Sequence, residues 1–289
     1  MIKKNLIFHF IPIVLLISIL DLLAYASESF QQFEVLNAKK SQHWRIDFFN
    51  AWKKENGSHQ YALFIDLNDG WKTYWKNPGE SGFTPEFEIL STNNLKGFEV
   101  SWPIPDIFVE NETTIYGFKE KLILPIIFYP QKIERPFEFH FKLKMGFCKD
   151  ICIPRTFYFR NGTAMNSSKL QNNEILKFLS KVPINLQSSK KYVSCKVVRD
   201  GEKLQLISSF NPKFFKNENK IKDVIFSYQN KNIWFTEKTY ELNEKIQNFS
   251  VILNNANNGK ILLDRSKIEL TLITHSKGFI LEGCQASEF

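Results

Sequence analysis

From Phe137 to Phe147 the odd-numbered residues are Phe137, Phe139, Phe141, Leu143, Met145 and Phe147, while Glu138, His140, Lys142 and Lys144 stand between them. Successive side chains leave a strand on opposite sides, so this period of two describes a β-strand with one apolar face. The run ends on Cys148. After Lys149, Asp150 and Ile151 comes Cys152, and Ile153 to Phe159 offers a returning partner strand. The two cysteines are therefore expected at strand ends that meet across a tight loop, where Cα atoms come within bridging distance.

Other segments read the same way. Phe33–Val35, Trp44–Phe48, Tyr61–Leu67, Gly70–Trp75, Phe83–Glu88 and Phe98–Trp102 carry short strand patterns, with Asn56-Gly57 and Pro78-Gly79 as turns. Leu122–Tyr129 is apolar and β-branched, and Pro125 inside it predicts an edge strand or a bulge. Glu110–Phe118 is polar, and Tyr116-Gly117 reads as a loop. The chain has 28 phenylalanines, which favour strands, and its hydrophobic content of 43% is ample for a packed core. Short strands with turn signals every eight to twelve residues predict a β-sandwich. Glu174–Pro183 reads as one short helix ended by proline. Strand patterns resume after Tyr192 and run to Phe279–Leu281. The expected fold is all-β: a β-sandwich over residues 27–165, a linker with a short helix over 166–190, and a second, smaller β domain over 191–289.

The first 26 residues read as an export signal. Lys3 and Lys4 precede an apolar run from Leu6 to Leu20, and Ala24-Tyr25-Ala26 supplies a small-x-small cleavage pattern. An uncleaved membrane anchor is the alternative, against which Asp21 interrupts the apolar window. An exported chain meets an oxidising compartment, so its four cysteines are read first as disulfide partners. The formal charge of +8 is spread along the chain with no nucleic-acid-reading motif, so no nucleic-acid partner is expected. Ser-His-Asp order, phosphate-cradling glycine loops and paired catalytic carboxylates are all missing, and hydrolase or kinase chemistry has no support.

Loop length separates the possible bridges. A Cys195–Cys284 bond would close about ninety residues and stabilise the chain by ~4.6 kcal/mol, whereas Cys148–Cys152 closes about five and gives only ~2 kcal/mol. Cys195 and Cys284 are thus expected to form a structural bond. Three readings of Cys148 and Cys152 stay open on spacing alone: an inert hairpin lock, a redox-active pair, or a zinc or copper site with His140. Trp71 and Trp75 could form a binding platform, although core packing explains them more simply.

Gly70-Trp-Lys-Thr-Tyr-Trp-Lys-Asn-Pro-Gly-Glu-Ser-Gly82, Trp102-Pro-Ile-Pro105, Ile115-Tyr-Gly117, Leu122-Ile-Leu-Pro125 and Cys148-Lys-Asp-Ile-Cys-Ile-Pro154 occur in that order. Over residues 30–160 this resembles the N-terminal periplasmic domain of the thiol:disulfide interchange protein DsbD. The resemblance implies an immunoglobulin-like fold and a reversible cysteine pair in the periplasm; no cofactor or metal is expected. It implies electron transfer from a membrane-embedded thiol reductase to periplasmic thioredoxin-like proteins. Cys152, followed by x-Pro, matches the cysteine that forms mixed disulfides, and Cys148 its resolving mate. Ile115, Tyr116 and Gly117 fall where the family has a cap loop, with Ile115 in place of an aromatic shield. Cysteine spacing is shorter here than in better-known members, and Thr113 and Thr114 replace acidic residues flanking the cap. The expected activity is that of a protein-disulfide reductase component supplied by a separate membrane electron donor. The rival expectation is a non-catalytic immunoglobulin-like interaction module with structural disulfides.

Overall fold

The computed structural model describes residues 41–110, 112–186, 192–211, 220–230, 232–242, 247–256 and 263–286. The signal segment expected over residues 1–26 and the strand expected at Phe33–Val35 lie outside the described residues.

The first sandwich is built from β1 (Trp44–Lys53), β2 (His59–Leu67), β3 (Lys72–Gly79), β4 (Glu86–Asn93), β5 (Leu95–Val100), β6 (Asp106–Glu110), β7 (Thr113–Lys119), β8 (Lys121–Pro130), β9 (Glu138–Cys148), β10 (Cys152–Arg160) and β11 (Met165–Asn166). One sheet runs β11-β1-β2-β8-β5; the other runs β10-β9-β3-β7-β6, with β4 also pairing with β9. Phe48, Tyr61, Leu63 and Phe128 from the first sheet meet Phe139, Phe141, Met145 and Phe147 from the second in one core. Phe128 stacks on Phe139 with centroids 3.9 Å apart, joining the two layers. Trp71 and Trp75 are buried in this core, and the Trp75 indole donates to the Pro103 carbonyl at 2.9 Å. They serve packing.

Two local expectations need correction. Strand β8 is not at an edge: Pro125 pairs with Ala62 of β2, and β5 flanks β8 on the other side up to Ile126. The missing amide is accommodated because the β5 ladder stops there, while the Pro125 carbonyl still accepts from the Ser101 amide at 2.8 Å. Tyr116 and Gly117 are not in a loop either; they lie within β7, paired with β3 and β6.

The helix, α1 (Lys169–Leu179), starts earlier than its apolar pattern suggests. Ser168 caps it by accepting from the Gln171 amide, and the Gln171 side chain accepts in return from the Ser168 amide at 2.7 Å. Ile175 is buried against Phe49, Phe64 and Ile123 on the back of the first sandwich.

The second sandwich contains β12 (Ile184–Asn185), β13 (Val193–Asp200), β14 (Lys203–Phe210), β15 (Ile221–Tyr228), β16 (Ile233–Leu242), β17 (Gln247–Asn255), β18 (Ile268–Thr274), β19 (Gly278–Glu282) and β20 (Gln285–Ala286). Its sheets run β12-β19-β18-β15 and β16-β17-β14-β13-β20, and share a core of Leu206, Phe249 and Val251 against Val224, Leu270 and Leu281. Ile225 and Ile273 face out of this sandwich and join the core cluster of the first. Among the described residues no helix is long and apolar enough to cross a membrane.

Candidate functional site: a disulfide under a β-hairpin

Strands β9 and β10 form a hairpin in which Cys148 and Cys152 are direct partners. The turn is closed by the Lys149 amide donating to the Ile151 carbonyl at 3.1 Å. The two cysteines are bonded, with Cα atoms 4.1 Å apart. Parity places the bond: Phe147 points into the core, so Cys148 must point to the opposite, outer face of its sheet. Along that face His140, Lys142 and Lys144 are half-buried, yet Cys148 is only 1% exposed. Cys152 is exposed. The pair therefore has one sheltered sulfur and one open to solvent.

Shelter comes from the neighbouring strands. Lys72 of β3 lies opposite Cys148, and Tyr74 follows on the same outer face. The Tyr74 hydroxyl donates to Cys148 Sγ at 2.8 Å and lies 3.3 Å from Cys152 Sγ. Burial raises the Tyr74 phenol above its ordinary range, and the nearby charge of Glu110 adds to that rise, so the hydroxyl keeps its proton at neutral pH. Tyr74, Ile115 and Cys148 form one small apolar cluster, with Phe83 and Phe108 packed against it. Ile115 and Phe108 are direct partners in the β6–β7 hairpin. The Lys119 ammonium sits over the Phe108 ring, 4.3 Å from its centroid. At the hairpin tip Glu110 is ion-paired with Lys72, whose side chain is almost wholly buried.

Glycines make the close approach possible. An added Cβ at Gly146 would lie 2.5 Å from Phe83 Cβ, and one at Gly82 would lie 2.5 Å from Tyr74 Cε1. Gly82 also has φ +136°, which a side chain would strain. The Pro-Gly-Glu-Ser-Gly turn thus wraps onto the Tyr74 ring.

The three residues expected in a cap do not act together. Ile115 packs by the disulfide, but Tyr116, its neighbour on a strand, points to the other face. There the Tyr116 hydroxyl donates to Asp223 Oδ2 at 2.9 Å and accepts from Lys238 Nζ at 2.6 Å. Gly117 presses on β3, where a Cβ would lie 2.2 Å from the Thr73 carbonyl oxygen. Tyr74, Phe83 and Phe108 were not singled out from sequence. The alternation of Lys72 and Tyr74 against Trp71, Thr73 and Trp75 was the available signal, since it places Tyr74 on the face away from the tryptophans.

Cys195 and Cys284 are also bonded, with Cα atoms 5.7 Å apart, and both are buried in the second sandwich. His140 lies eight residues up strand β9 from Cys148, roughly 26 Å at the strand rise of about 3.3 Å per residue. It pairs across the ladder with Arg160. Burial, helped by Arg160, holds the His140 imidazole below its usual range. Among the described residues no three His, Cys, Asp or Glu side chains are grouped to hold a metal ion.

Comparison with known proteins agrees with this geometry. Residues 41–160 match the family model for the thiol:disulfide interchange protein DsbD, N-terminal. No curated protein matches the chain. Among solved structures, the chain is similar to the N-terminal periplasmic domain of ScsB from Proteus mirabilis, with a TM-score of 0.63 and 14% identity over 86% of this chain and 95% of that one. At that identity the likeness concerns the fold, and it extends across both sandwiches. The segment with the disulfide, the Tyr74 hydroxyl and the hairpin above them thus lies within the stretch that is similar to the DsbD N-terminal domain, a thiol-disulfide interchange family.

Proposed function

We propose that Cys148 and Cys152 relay electrons by dithiol–disulfide exchange in the periplasm, between a membrane-embedded thiol reductase and thioredoxin-like acceptors. The observation that carries this reading is the asymmetry of the pair: Cys152 is open to solvent while Cys148 is buried under Ile115 with the Tyr74 hydroxyl on its sulfur. Thiolate attack needs a line of approach to one sulfur and a good leaving group at the other. A donor thiolate attacks Cys152 Sγ, forming a mixed disulfide and expelling Cys148 as a thiolate. The Tyr74 hydroxyl donates to that thiolate. A second donor thiol then releases Cys152, so the donor gains one disulfide and this pair gains two electrons and two protons. In the return half-cycle the Cys152 thiolate attacks an acceptor disulfide. Cys148 then attacks Cys152 Sγ and expels the acceptor's reduced dithiol.

Ile115 and Phe108 act as the lid in this reading. They cover Cys148 on the side away from the core, and a docking partner displaces the β6–β7 hairpin tip to widen its approach. Suppressing stray exchange is what an apolar cover over a reactive sulfur accomplishes.

Equilibration with dithiothreitol or glutathione buffers, followed by thiol alkylation, tests the relay. The 148–152 bond is expected to open within the range spanned by thioredoxin-like oxidoreductases, about −120 to −270 mV. A Cys148→Ala variant is expected to trap a thioredoxin-like protein through Cys152, and a Cys152→Ala variant to trap none. A bond that stays oxidised far below that range sinks the relay.

A further inference from the structure

Strand β7 has different duties on its two faces, and the second sandwich is attached to one of them. Ile115 covers the disulfide; Tyr116, one residue on, enters a triad with the buried Asp223 of β15 and the half-buried Lys238 of β16. Asp223 Oδ1 accepts from the Val224 amide at 2.7 Å and from the Lys238 ammonium. Both second-domain partners sit at breaks in strand register: β15 is irregular between Ile221 and Asp223, and β16 between Thr236 and Thr239. Glu237, beside Lys238, has φ 50°. Bulges re-aim side chains at the cost of local pairing, and here two of them converge on one phenol from the other sandwich.

A second tie runs through the turn after β3. The Asn77 amide group donates to the Phe226 carbonyl and to Ser227 Oγ, both at 2.9 Å, while its oxygen accepts from the Gly79 amide at 3.1 Å. From this anchored turn, the Glu80 amide donates to the Thr114 carbonyl at 3.1 Å, and its carboxylate accepts from the Thr114 amide at 3.2 Å. Thr114 is the residue before Ile115. The lid strand is thus gripped on both sides of Ile115, directly by the triad and indirectly through the turn.

We infer that the second sandwich is the positioning scaffold of the lid: Asp223 and Lys238, acting through Tyr116, hold Ile115 over Cys148 and so set how readily small thiols reach the pair. This rests on the redox reading of Cys148 and Cys152. An ion pair and a largely buried tyrosine form a firm link, because Tyr116 and Asp223 would each lose a partner if the strand lifted. Lifting β7 requires that link to break, so the second sandwich contributes to the barrier for opening.

The test uses the full chain and the rate at which dithiothreitol reduces the 148–152 bond, read by alkylation and mass. Tyr116→Phe removes one hydroxyl and leaves the ring packing and the Asp223–Lys238 pair in place. It is expected to speed reduction about tenfold, the equivalent of one hydrogen bond to a charged group. Lys238→Met should act in the same direction, and Lys238→Arg should restore the slow rate. Leu206→Val, in the second core and not itself a member of the triad, controls for stability: it should lower the melting temperature without changing the rate. Variants that all reduce at the wild-type rate overturn the positioning role and leave the relay standing, as does a Leu206→Val rate that rises as much as that of Tyr116→Phe. A wild-type bond that resists even a large excess of dithiothreitol sinks the relay, and the positioning role with it.

Discussion

Cys195 and Cys284 are 89 positions apart, both buried, and their bond ties β13 to the turn after β19 inside the second core. Cys148 and Cys152 are four positions apart, already juxtaposed by the β9–β10 ladder, with one sulfur exposed and a phenol hydroxyl on the other. A bond that joins distant segments restrains the unfolded chain strongly; one across the end of a hairpin restrains it little. Covalent closure therefore explains the first bond and does not explain the second. What surrounds the second bond is an apolar cover, a phenol hydroxyl on one sulfur and solvent at the other.

The largest expected effect breaks the comparison if the order is reversed. Replacing Cys195 and Cys284 together by alanine should cost about 4–5 kcal/mol, and replacing Cys148 and Cys152 together about 2 kcal/mol or less, by the loop-length dependence of cross-link entropy. Urea unfolding of the two double variants measures both. A greater loss from the hairpin pair would make it the structural bond.

Next in size is Tyr74→Phe. If the hydroxyl stabilises the Cys148 thiolate, its loss should raise the pKa of that thiol in the reduced protein by about one unit, or ~1.4 kcal/mol. The pH dependence of alkylation at Cys148 reads this directly, and an unshifted profile assigns the hydroxyl to packing alone. The Cys195–Cys284 bond should be unaffected.

A last effect, outside the two disulfides, appears at alkaline pH. Burial pushes the Tyr61 phenol up to about 12, and burial also raises Tyr74 and Tyr116. A folded-state pKa above the unfolded value means that the stabilisation is complete below about pH 10 and lost as pH rises through the folded value. Between pH 10 and 12 the melting temperature should fall as these phenols ionise, and Tyr61→Phe should blunt the fall. A melting temperature flat over that window contradicts the burial of these rings.

Periodicity made the first sandwich and its hairpin legible, since β9 and β10 run almost as the alternation of Phe137–Phe147 and Ile153–Phe159 describes. Local polarity misled at Thr113–Lys119. With threonines and a glycine this stretch reads as a loop, yet β3 and β6 pair with it on both sides and make it a strand. Tertiary pairing overrode a weak local preference. The Tyr74 contact was hidden for a different reason. Tyr74 and the cysteines are 74 and 78 positions apart, and only the β3–β9 register brings them together. The triad of Tyr116, Asp223 and Lys238 depends on two register breaks that no alternation pattern announces.

The alternation of β9 has a consequence for how this stretch can change in length. Phe147 is locked inside and Cys148 outside by parity alone, with no side-chain choice involved. Deleting or inserting one residue anywhere between Phe137 and Phe147 would turn the sulfur inward on one side of the change, or the phenylalanines outward on the other. Only changes by pairs of residues keep both faces in place. The phase of a single strand thus links core and sulfur: the sequence that keeps the aromatics dry is the same one that presents the cysteine to the outer face.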